Sequence, residues 1–211
     1  MHTLIKNKIA KMVLINNFWG LIFSRIECRA SDIPFAAGVG ANENGNIILF
    51  YNEDLLKGCP DNSLDKILEH EGMHLLNKHI QRFINLSIDH KNRYMQIIFN
   101  IASDCCVNTQ INMPEKLELA NSVMIDPVFP KLYGLPEKKV TEYYFLELLK
   151  NEELKEKYKS GEGEFWEGAV GDHSKWDEAL SKVSDVNALV RKINNDFGEI
   201  LKDVTEKINK R

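Results

Sequence analysis

At 211 residues, with 44% hydrophobic content and a formal net charge of −4, the chain is long enough to bury the core of one globular domain. A sequence pI near 5.9 and lysines spread along the whole length leave no basic footprint, so nucleic-acid binding is not expected. Cys28, Cys59, Cys105 and Cys106 show no C-x-x-C spacing, which excludes a disulfide framework and fits reduced, buried thiols in a cytoplasmic protein.

Residues 3–28 read as helical. Lys6, Lys8 and Lys11 precede an apolar run over 12–23 that outwardly resembles a signal sequence. Asn16 and Asn17 interrupt it, and it is too short to span a membrane. Leu4, Ile9, Val13, Leu14, Phe18, Leu21 and Ile22 recur at helical spacing instead, so packed helices and no membrane contact are expected. Glycine and asparagine punctuation over 34–45 then leads to Ile47-Ile48-Leu49-Phe50-Tyr51, a predicted strand over 46–51. Residues 35–40 are placed to pair with it as a small hairpin.

A proline-free helix is expected over 64–83, with Leu64, Leu68, Leu75, Leu76 and Phe83 as its apolar arc. It carries His70-Glu71-Gly72-Met73-His74, an H-E-x-x-H arrangement in which two imidazoles four residues apart project from one face and can share a metal ion. Glu71 lies about 100° further round the helix, placed to act on a metal-activated water without being a ligand. His79 follows closely, but the metzincin pattern places its third histidine six residues after the second, with glycine at the third; here those positions are Ile80 and Asn77. On a continuous helix His79 points away from His70, so a hydrogen-bonding role in the core or behind a ligand is expected of it.

After a polar loop over 87–92, a second helix is predicted over 93–111. Ile97, Ile101, Val107 and Ile111 form its apolar arc, and Asp104 falls in the middle, with Asn100 and Asn108 one turn away on either side. A buried carboxylate needs a strong compensating partner. Asp104 is the expected third metal ligand, with a salt bridge to an arginine or a hydrogen bond to a ligand histidine as the alternatives, and Asn100 and Asn108 are candidates for orienting the ligands. Four prolines mark 113–139 as an irregular connection, and a helix follows with Thr141 as its expected cap.

The glycine-rich stretch 161–171 leads to Asp172-His173-Ser174. His173 could return to the site as an oxyanion stabiliser oriented by Asp172, or be exposed beside a helix cap. From Trp176 to Ile208 the apolar residues recur at three- and four-residue steps. They form an amphipathic region that Gly198 is positioned to break, expected to pack on the domain or to contact a protein partner. The expected division is 1–160 as the domain proper and 161–211 as a loop and helical region packed on it.

In the order GNIILFYN (45–52), His70-Glu71-x-x-His74 with His79, Asn100-Ile101-Ala102-Ser103-Asp104 with Val107-Asn108, Glu142-Tyr143-Tyr144 and Asp172-His173-Ser174-x-Trp176, the chain resembles bacterial and phage metallopeptidases whose catalytic region precedes a von Willebrand factor A-like domain. The resemblance implies an α+β, mostly helical, zincin-like fold with a small sheet beside the active-site helix. It also implies one Zn2+ on His70, His74 and Asp104, Glu71 as catalytic acid and base, and a peptide or protein substrate. There is no room here for the von Willebrand factor A-like domain, so a stand-alone version is expected. The alternative expectation is a zinc-binding regulatory protein without turnover.

Overall fold

The computed structural model describes residues 4–15, 17–85, 92–158 and 185–210. It is mostly helical with a small sheet, an α+β arrangement as expected from the patterning. The 3–28 segment divides into three elements rather than one helical region: α1 (Leu4–Leu14), α2 (Phe18–Phe23) and strand β1 (Glu27–Ala30). The division falls at Asn17, whose side chain accepts hydrogen bonds from the Trp19 and Gly20 amides and so starts α2. Lys8 is buried and bonds the Asp65 carboxylate at 2.8 Å and the Asp61 carbonyl at 3.0 Å, fastening α1 to the start of the motif helix.

β2 (Ala37–Ala41) and β3 (Ile47–Tyr51) form the expected antiparallel hairpin, Val39 opposite Leu49. Its turn needs Gly45, at φ +77, with the Asn42 carboxamide accepting from the Asn44 and Asn46 amides. β1 adds in parallel on the far side of β3, giving the order β1-β3-β2. β3 is therefore central and β2 is the edge beside the motif helix. Every residue of β2 and β3 is buried, which explains why β3 reads as an unbroken apolar run.

α3 (Glu53–Leu56), α4 (Asp61–Leu76), α5 (His79–Asn85) and α6 (Arg93–Gln110) follow. The helix expected over 64–83 is thus two helices. Asn77 ends α4, and Lys78 takes φ 54, a left-handed conformation that redirects the chain before α5. Leu64, Ile67, Leu68 and Leu75 bury the apolar face of α4, while Leu76 is exposed, a departure from the expected arc. The 113–139 connection carries a two-stranded ribbon, β4 (Leu117–Glu118) with β5 (Met124–Ile125), and short 3-10 turns.

α7 (Thr141–Leu148) and α8 (Glu152–Tyr158) pack with α6 in the same core. The last described helix, α9 (Val186–Asn209), is capped by Asp185 and runs unbroken through Gly198, against the expected break. Its Leu189, Val190, Ile193, Phe197 and Val204 are buried in that core. No helix among the described residues is long and apolar enough to cross a membrane.

Gly72, inside the motif, sets how closely α2 approaches α4. A Cβ there would lie 2.3 Å from Cε3 and 2.4 Å from Cζ3 of Trp19. Gly72→Ala is therefore expected to destabilise the fold by about 1–3 kcal/mol, the usual cost of overpacking a core. Urea unfolding checks this, as a lower midpoint at unchanged slope.

Candidate metal centre

α4 and α6 supply the site. His70 and His74, one helical turn apart, bring their Nε2 atoms to 2.9 Å of each other. Asp104 Oδ1 lies 3.5 Å from His70 Nε2 and 3.4 Å from His74 Nε2. Two ligands each about 2.0–2.1 Å from one tetrahedral ion sit roughly 3.3–3.4 Å apart, so both Asp–His edges have the right size and the His–His edge is tighter. The three side chains form a buried cluster able to hold a cation. His70, Glu71 and His74 are 0% exposed and Asp104 1%.

What the site lacks is as informative as what it holds. Among the described residues, both oxygens of Asp104 and Oε1 of Glu71 are buried without a hydrogen-bond partner. An uncompensated buried carboxylate costs several kcal/mol. A divalent cation among His70, His74 and Asp104 removes that cost, so the donor set fits Zn2+.

Hydrogen bonds behind the two motif imidazoles orient them. Asn108 Nδ2 donates to the Val128 carbonyl at 2.8 Å, which turns its Oδ1 to His70 Nδ1 at 2.9 Å. His70 Nδ1 must then carry the proton, and Nε2 presents a lone pair to the site. Asn108 thus holds the His70 ring, and it also ties the 113–139 connection to the cluster. Asn100 is buried one turn before Asp104.

His79 differs from the expectation that it points away. Because the chain turns at Lys78, its ring returns beside His74, with the two Nδ1 atoms 2.7 Å apart. Its Nε2 meets Thr141 Oγ1 at 2.9 Å. Thr141 is accordingly not the cap of α7; Val140 occupies that position and makes no side-chain capping bond.

Glu71 is held from the sheet. The Val39 amide donates to Oε2 at 2.8 Å, and Oε1 lies 4.0 Å from His70 Nε2. The bond comes from the β2 edge. β3 is paired on both sides and has no free edge to offer an extended substrate.

Burial raises the Glu71 pKa to about 7, against the lowering effects of His70 and the Val39 amide. Burial also pushes Asp104 up, but the two histidines close beside it outweigh burial and hold the carboxyl well below the usual range. Burial and the neighbouring His70 lower His74 to about 4. For His70, burial pulls down while Asp104 and Glu71 pull up more strongly, and the net direction is upward. Carboxylates and imidazoles driven apart in this way mark a functional site.

His173 lies outside the described residues. Sequence reading missed the Val39 amide, the Thr141 hydroxyl and the cover formed by α9. With His74 and His79, Ile193 and Phe197 line a cavity of about 10 Å3, scarcely room for one water. The Asn194 carboxamide donates to Gln81 Oε1 at 2.7 Å, and Lys192 Nζ reaches Asn46 Oδ1 at 3.3 Å. α9 therefore runs from the β2–β3 turn to α5, over the His74 side of the centre. Compared with known proteins, the chain matches no family model, no curated protein and no solved structure.

Proposed function

We propose that this chain is a zincin-like, zinc-dependent metallopeptidase. The observation that carries the reading is the convergence of two Nε2 lone pairs with the unpartnered oxygens of Asp104, beside an unpartnered Glu71 Oε1. His70, His74 and Asp104 would hold the ion, which supplies Lewis acidity and a nucleophilic water near neutral pH.

The remaining chemistry belongs to the chain. Glu71, oriented by the Val39 amide and with its pKa near 7, takes a proton at Oε1 from the attacking water and returns it to the leaving amine. A base with a pKa close to the working pH serves both steps. β2, the sheet edge beside α4, is the strand along which an extended peptide would align. The dry surroundings strengthen every charge interaction at the centre.

Burial of all four residues favours a second reading, a zinc-binding regulatory or interaction protein without peptidase turnover. The two differ over whether α9 lifts. For a peptidase it must, and bridging Asn46→Cys to Lys192→Cys with a short bismaleimide is expected to stop turnover while bound metal is retained. Full cleavage by the bridged protein would rule out α9 as the cover.

Metal analysis of the purified protein, together with cleavage of a broad peptide library, tests the function itself. Stoichiometric zinc with cleavage is expected. Zinc without cleavage of any library member moves the conclusion to the second reading, and failure to bind metal after reconstitution rejects both.

A further inference from the structure

The two ligand histidines are held by different devices. His70 is fixed by an asparagine tied to a backbone carbonyl. His74 is fixed by a second histidine, which is in turn fixed by the first residue of α7. His74 and His79 are 0% exposed and Thr141 is 1% exposed, so water does not compete for these bonds. The arrangement spans three helices: α4 contributes the ligand, α5 the intermediate ring and α7 the hydroxyl.

Proton counting gives the chain a direction. Two ring nitrogens 2.7 Å apart can share only one proton. If His74 offers the Nε2 lone pair to an ion, its proton is on Nδ1 and His79 Nδ1 is the acceptor. A neutral His79 then carries its own proton on Nε2 and donates to Thr141 Oγ1, 2.9 Å away. The Thr141 hydroxyl, having accepted, donates onward, and its neighbour is the buried Cys106 thiol on α6. With the His74 Nε2 lone pair given to an ion, the order His74 to His79 to Thr141 is the one that uses these donors and acceptors.

We propose that Thr141 is a positioning residue for the metal centre: through His79 it fixes the tautomer and ring orientation of His74. The proposal rests on the metal-binding reading above. The start of α7 holds the hydroxyl in place. Arg82 of α5 binds both carboxylate oxygens of Glu142, at 2.7 and 2.6 Å, and Tyr144 links to the Pro136 carbonyl at 2.9 Å. The start of α7 is thereby clamped at the residue next to Thr141, and the hydroxyl faces His79 rather than its own helix end.

The test compares Thr141→Val, which keeps the shape and removes the hydroxyl, with Thr141→Ser, which keeps the hydroxyl. Zinc affinity is measured by competition with a chromophoric chelator. Thr141→Val is expected to weaken binding roughly 10–100-fold, the usual effect of losing an outer hydrogen-bonding partner, and Thr141→Ser to recover most of it. Glu142→Gln loosens the half-exposed clamp without touching the relay and is expected to leave affinity near wild type, which separates positioning from a general loosening of α7. Imidazole 15N spectra of the zinc-loaded protein give a second readout: His79 protonated at Nε2 in wild type and Thr141→Ser, and a mixture of His79 tautomers in Thr141→Val.

Wild-type affinity in Thr141→Val, or an equal loss in Thr141→Ser, would overturn the proposal while leaving the metal centre intact. Absence of zinc binding by the wild-type protein would instead reject the metal-binding reading, and the relay with it.

Discussion

Glu71→Gln is expected to lower peptide turnover by a factor of about 10²–10⁴, the range attributed to a positioned general acid or base, while zinc content stays at the wild-type level. Glutamine preserves the geometry that can be preserved. Its carbonyl oxygen can accept the Val39 amide proton that Glu71 Oε2 accepts at 2.8 Å. What it cannot do is take up a proton at neutral pH. Because Glu71 Oε1 has no hydrogen-bond partner, removing its charge relieves a buried, unpartnered carboxylate, and the variant should be at least as stable as wild type. Loss of activity could not then be assigned to unfolding. The measurement is kcat on a cleavable library peptide alongside metal stoichiometry. Unchanged turnover would remove Glu71 from the chemistry, and loss of metal would make it a ligand.

The parts of this site that were legible in the sequence are those that break a local rule. Asp104 stands out because an aspartate on an apolar helix face contradicts the pattern around it, and the structure brings it to the two histidines of the motif. Asn108 was legible for the same reason. The hairpin was legible because a glycine-marked turn precedes an unbroken apolar run. β1 was not, since Glu27–Ala30 alternates between exposed and half-buried and becomes a strand by pairing in parallel with β3, a partner about twenty residues away. The position of His79 depended on one backbone dihedral at Lys78. Asn77 was the available signal, a residue suited to the end of a helix, but Leu75 and Leu76 before it and Ile80 and Phe83 after it continue the helical pattern closely enough to hide the break. Thr141 was misread because threonine before an acidic residue resembles a cap, and only the tertiary position of His79 gives its hydroxyl a different partner. Gly72 carries no signal of its own in the sequence, because the Trp19 ring that requires a glycine there arrives from a different helix.

Asp104→Asn is expected to remove the thermal stabilisation that zinc confers. A ligand that binds only the folded state at 100 times its Kd adds about 2.7 kcal/mol. For a chain of this size that is a rise in melting temperature of roughly 5–10 °C. The asparagine keeps the volume of Asp104 but offers the ion a neutral oxygen in place of the anionic one now lying 3.4 and 3.5 Å from the two histidine nitrogens. Affinity should fall by more than the roughly 10–100-fold that loss of an outer partner costs. Asn108→Ala, which removes the bond to His70 Nδ1, supplies that comparison in the same protein. The informative quantity is the difference between melting temperatures with and without zinc. Asp104 also lies against both histidines in the metal-free protein, so the substitution shifts the metal-free curve, but a purely structural aspartate would shift both curves together and leave the zinc increment intact. An increment equal to wild type in Asp104→Asn would therefore leave the ion with His70 and His74 alone and exclude Asp104 as its third ligand.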